Sequence, residues 1–114
     1  MSEITIDYNN ISQQLKIRPE ILKKLIKSFS LALLDKMKIL ETALASNDAT
    51  QMRAVLHEIK GTAGNLRLST ICTAENVMHE AVKGGEKKEK LAEYLKVLQE
   101  RVAELQQYTA KQEI

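Results

Sequence analysis

Residues 19–44 read PEILKKLIKSFSLALLDKMKILETAL. Within them Leu22, Leu25, Ile26, Phe29, Leu33, Met37, Leu40 and Leu44 recur at spacings of three and four. That period places one apolar stripe along a single α-helix. Pro19 suits the first helical position, where its missing N–H is no loss. The helix is expected to end near Ser46. So long a helix with one apolar side must be covered by other elements, and the sparse punctuation of the rest of the chain makes those helices too, so an all-α fold is expected.

Working outward from this stretch, punctuation stays sparse. Pro19 is the only proline, and the glycines are Gly61, Gly64, Gly84 and Gly85. Residues 1–7 read as a loose arm, followed by a short helix over Tyr8–Ile17 with Ile11 and Leu15 four apart. Asn47 or Asp48 caps a third helix, with Gln51 three residues after Asp48 as in a capping box. This helix reaches about Leu66. Ser69 or Thr70 caps a fourth, carrying Ile71, Ala74, Met78 and Val82 on one side and ending at Gly84-Gly85, as glycine ends helices. The last runs from Glu86 into the tail, with Leu91, Leu95, Leu98, Val102 and Leu105 as its seam. The run Glu86-Lys87-Lys88-Glu89-Lys90 reads as its solvated first turn. Four substantial helices with short connections predict an antiparallel four-helix bundle, with the short N-terminal helix as an extra element.

Composition bounds the function. The chain has 114 residues, enough for a single domain over 1–114. Seventeen basic and fifteen acidic side chains leave a formal net charge of +2, too weak a field to steer nucleic acid or an anionic membrane. Aromatics are 4% and Trp is absent, so the core must be aliphatic, and Tyr8, Tyr94 and Tyr108 are too scattered for a base-stacking platform. Cys72 is the single cysteine; it forms no internal disulfide and is expected to pack as a small apolar residue. His57, Cys72 and His79 have no ligand-like spacing, so no metal site is expected. No apolar stretch approaches the ~20 residues that span a bilayer. The N-terminal Met-Ser-Glu-Ile-Thr-Ile-Asp has neither the basic region nor the apolar run of a secretory signal, and a cytoplasmic protein is expected.

The chemistry gathers on the third helix. At roughly 100° per residue, Met52, Val55, Leu56, Ile59, Ala63 and Leu66 form the core stripe, and Arg53, Ala54, His57, Lys60, Gly61 and Gly64 fall on the other side. Two glycines on an exposed helix face disfavour the helix by about 1 kcal/mol each. They lie four and seven residues after His57, and bare backbone there suits close approach of a partner to the imidazole. A lone helical histidine is ordinarily a polar surface residue; the glycines and the nearby cations argue otherwise. Lys60, three residues along, is a direct neighbour on the helix surface and can hold a phosphoryl group by a charge-assisted hydrogen bond. Arg53, four before, adds a second cation. A free imidazole titrates near ~6.5, so at pH 7 it is mostly a neutral nucleophile. The sequence has no phosphate-cradling Gly-rich loop, no Ser–His–Asp set and no acidic cluster suited to magnesium. It holds a phosphoryl acceptor without machinery to activate a donor.

The run His57-Glu58-Ile59-Lys60-Gly61-Thr62-Ala63-Gly64-Asn65-Leu66 resembles the His-x-x-Lys-Gly core of histidine-phosphotransfer domains of bacterial two-component phosphorelays, and the resemblance extends over nearly the whole chain. It implies an up-down four-helix bundle with His57 exposed mid-helix. His57 would accept a phosphoryl group from a receiver-domain aspartate and pass it to another receiver. Lys60 would support that group, and Gly61 and Gly64 would admit the receiver's rim. The chain would be a phosphoryl carrier and not an enzyme. No cofactor would be bound to it, since magnesium and the acid–base residues sit on the receiver. The expected partners are receiver domains of response regulators and hybrid kinases, with neither nucleic acid nor membrane, and a monomer is expected. Many members have glycine near the place of Arg67, which here bears on docking geometry.

Two other readings compete. His57-Glu58 also resembles the phosphoacceptor start of a sensor kinase dimerisation domain, but Thr62 and Ala63 stand where its proline belongs. In a purely structural helical adaptor the 91–105 seam would drive association and His57 would be incidental. His79 is expected at the edge or surface of the fourth helix, without a role. Ile4, Ile6 and Ile11 either form a docking surface or cover the bundle's end.

Overall fold

The computed structural model describes residues 5–111. They form five helices and, among the described residues, no strand: α1 (Tyr8–Leu15), α2 (Pro19–Ala45), α3 (Ala49–Asn65), α4 (Ser69–Lys83) and α5 (Lys88–Lys111). Contacts between helices close a ring, α2 on α3, α3 on α4, α4 on α5 and α5 on α2, with α1 laid on α2. The 27 residues of α2 span about 40 Å at ~1.5 Å each. That matches the 42 Å long axis of the molecule, so α2 runs its full length.

The core is aliphatic. Leu22, Ile26, Leu33, Leu40, Leu56, Ile59, Ile71, Met78, Leu98 and Leu105 are wholly or almost wholly buried. Leu25 departs from the expected stripe. It is 46% exposed, because at ~100° per residue it falls some 80° from the stripe's centre. Ile6 and Ile11 are buried and cover one end of the bundle, where Tyr8 stacks on Tyr108 with ring centroids 6.3 Å apart. Ile4 lies outside the described residues.

The helix ends share one device. After Ala45, Asn65 and Lys83 the chain enters the left-handed region at Asn47 (φ 57°), Arg67 (φ 61°) and Gly85 (φ 72°). In each case the following N–H reaches back five residues: Asp48 to Ala43 O, Leu68 to Ala63 O and Glu86 to Ala81 O, at 2.8–3.0 Å. This is the Schellman closure. Glycine occupies the position once. Asn47 tolerates it, and Arg67 offsets the strain with its side chain, donating from Nη1 to Gly64 O at 2.9 Å and from Nε to Gln14 Oε1 at 3.1 Å. Arg67 therefore caps α3 and ties it to α1, at a position whose φ favours glycine.

Helix starts follow expectation only in part. Asp48 is the N-cap of α3, its Oδ1 accepting from the Gln51 N–H at 3.0 Å. Replacing Asp48 with Ala is expected to lower stability by about 1 kcal/mol in thermal unfolding and to leave the α3 surface chemistry unchanged. Neither Ser69 nor Thr70 caps α4. Leu68 holds that position without a side-chain bond, and Ser69 and Thr70 belong to the first turn. Lys16 in the left-handed region stops α1 at Leu15, before Ile17, and α5 begins at Lys88, after Glu86 and Lys87.

Candidate functional site

α3 divides along its length. Met52, Val55, Leu56, Ile59 and Ala63 are buried, and Arg53, Ala54, His57, Lys60 and Gly61 are exposed, with Gly64 half-buried. The structure thus brings His57, Lys60, Gly61 and Gly64 onto one strip of accessible helix surface, with Arg53 one turn before His57. A Cβ built on Gly61 or on Gly64 meets no atom within 4 Å. Internal packing therefore does not require glycine at either place. Glu58, next in sequence to His57, turns toward α2, where Lys36 Nζ donates to its Oε1 at 3.3 Å. Lys36 thus fastens α2 to α3 beside the strip.

Behind the strip, α4 packs along α3. On α4 Glu75 is wholly buried and His79 nearly so, with His79 Nδ1 and Glu75 Oε2 3.0 Å apart. His79 is thus neither an edge nor a surface residue. One turn from Glu75, it rotates inward to partner that carboxylate. The signal for Glu75 was present in the sequence: it stands four after Ile71 and three before Met78, within the apolar period of α4. A polar residue breaking such a period ordinarily reads as the stripe's edge, so spacing alone does not mark it as buried. Burial pushes the Glu75 carboxyl above the usual carboxylate range, opposed by its bond to His79 and by the positive charges of His79, Lys60 and His57. Burial likewise pushes the Cys72 thiol up, helped by Glu75 and opposed by Lys60. Cys72 packs half-buried against the core, so it stays a protonated, unreactive thiol.

An exposed imidazole, a lysine one turn along and open backbone beside both can accept a charged group from a large partner. Among the described residues, no group of three or more His, Cys, Asp and Glu side chains is placed to hold a metal ion. No helix among them is long and apolar enough to cross a membrane.

The family model described as Hpt domain matches residues 24–108, from the first turns of α2 to near the end of α5, with α3 at its centre. No curated protein and no solved structure gives a match.

Proposed function

The chain belongs to the Hpt domain family, and from that premise we propose that it is a phosphocarrier in a multistep phosphorelay, with His57 taking a phosphoryl group from one receiver domain and giving it to another. The observation that carries this reading is the strip on α3: an exposed His57 beside Lys60 and two glycines that no internal contact demands.

In the forward step the lone pair of an imidazole nitrogen of His57 attacks the phosphorus of a receiver's aspartyl phosphate. The N–P bond forms as the acyl P–O bond breaks, and that electron pair returns to the aspartate carboxylate. The proton on the other ring nitrogen leaves to solvent, and it returns when the phosphoryl group moves on. The Lys60 ammonium holds phosphoryl oxygens from one turn along, and Arg53 supports it from the turn before. Gly61 and Gly64 let the receiver's rim approach the helix backbone. Magnesium and acid–base groups come from the receiver; this chain supplies nucleophile, cations and surface.

The proposal extends to the frame. The connections 46–48, 66–68 and 84–87 are short, which favours antiparallel neighbours. With the closed ring of contacts, they support an up-down four-helix bundle of α2–α5 carrying α1 as an extra element. We read residues 1–114 as a single such domain, acting as a monomer in the cytoplasm.

Incubation with labelled, phosphorylated receiver and magnesium is expected to place on the protein a label that is lost in acid and survives alkali, the behaviour of a phosphohistidine. Absence of label with every member of a broad panel of active receivers would overturn the carrier reading in favour of a structural adaptor.

A further inference from the structure

Glu75 is the anomaly of the interior. It stands in the apolar run of Ile71, Met78 and Val82 on α4, wholly buried, where Leu or Met would fill the space without desolvating a carboxylate. Only half of its group is satisfied: Oε2 is bonded to His79, and Oε1 has no partner. A buried acid with one free oxygen is retained at a cost to stability, and such groups concentrate where a charge is used. The groups that act on it are His79 on its own helix and Lys60 and His57 on α3. Those last two belong to the strip described above.

Resting on the phosphocarrier reading, we propose that Glu75 tunes how readily the phosphoryl group leaves His57, acting through charge without touching it. In the resting protein its carboxylate attracts Lys60. Once His57 carries a phosphoryl dianion, the same carboxylate repels that dianion and competes with it for Lys60. Both effects raise the energy of the phosphorylated state over the free one, which biases the carrier toward donation. The bonds made and broken are those of the forward and reverse transfer above; Glu75 gains and loses none of them. His79 holds the carboxylate in place, since its Nδ1–H donates to Oε2 when Glu75 is ionised.

The effect has a pH signature. With its carboxyl held above the usual range by burial, Glu75 is an anion at alkaline pH and becomes neutral as pH falls through its raised value. The bias toward donation is therefore present at high pH and fades on acidification.

The test is the equilibrium ratio of phosphorylated carrier to phosphorylated receiver, measured on the full chain from about pH 8.5 downward, through the point at which Glu75 takes up its proton. Glu75→Gln keeps a partner for His79 and removes the charge; Glu75→Met removes the charge and suits the apolar surroundings. At the alkaline end both are expected to raise the ratio by at least about fourfold, the lower bound Coulomb's law gives for a unit charge and a dianion at the ~10 Å spacing of packed helices even in a water-like dielectric. The wild type is expected to converge on them as pH falls, and Glu75→Asp, which keeps the charge, to stay near the wild type. If one charge-removing variant fails to fold, the other still decides. Profiles that run parallel at all pH values, or a shift in Glu75→Asp equal to that in Glu75→Gln, would make Glu75 a packing residue and overturn the proposal. If the wild type takes no label at all, the carrier reading itself fails. If it labels normally and the charge-removing variants match it, only this proposal falls.

Discussion

Replacing His57 with Gln is expected to abolish phosphoryl uptake while leaving the folded protein as stable as the wild type. The side chain is exposed on α3 and contributes nothing to the core, so the stability change is expected to lie within about 0.5 kcal/mol. Glutamine keeps polarity and approximate size but has no nucleophilic ring nitrogen. Among the described residues, no other histidine or thiol is placed to take over. His79 is buried against Glu75, and Cys72 is a half-buried thiol whose ionisation burial opposes. Label transfer from a phosphorylated receiver, read beside thermal unfolding, checks both halves. Undiminished label on the Gln variant would move the acceptor elsewhere and remove the basis of the proposed function.

At Gly61 stability and transfer are expected to move in opposite directions. The residue lies within α3, and a Cβ there meets open space. Any helix-favouring residue should therefore stabilise the helix by about 0.5–1 kcal/mol. A large one, Gly61→Trp, stands one turn from His57 and would hold the receiver's rim away from the imidazole. Displacements on the order of 1 Å at a reacting centre cost about a hundredfold in rate, so at least that loss is expected for Trp, and a smaller one for Gly61→Ala. A Trp variant that transfers at the wild-type rate would show that the glycine serves something other than approach. A Trp variant that is also less stable would place Gly61 in a tighter environment than the strip provides.

Much of this protein is legible from residue spacing. The stripes on α2, α3 and α5 follow the helical period, and hydrophobic burial acts on that period regardless of what lies opposite. The His57 strip on α3 was legible for the complementary reason. The positions left out of the stripe must face solvent, and His57, Lys60 and Gly61 are all left out. The misreadings have a common cause. Leu25 fits the core spacing yet is exposed, because an apolar residue at a stripe's margin is buried only if a neighbouring helix reaches it. Ser69 and Thr70 were expected to cap α4 by their type, but where the Schellman turn of α3 delivers the chain decides which residue stands at the cap.

By itself the sequence determined the helical class, the approximate places where helices end, most of the residues that pack and the exposed surface that carries His57. These are local quantities, set by periodicity, turn chemistry and side-chain type along one segment. Tertiary structure alone decided the rest: Lys36 fastening α2 to α3 through Glu58, Arg67 capping α3 while holding Gln14 of α1, and Glu75 enclosed with His79 in the interior. Each depends on which helices become neighbours and in what register, because burial and partnership are properties of two surfaces meeting. A titratable residue in an apolar period shows its charge in the sequence, but its environment, and with it the work that charge can do, exists only once α3 has packed on α4.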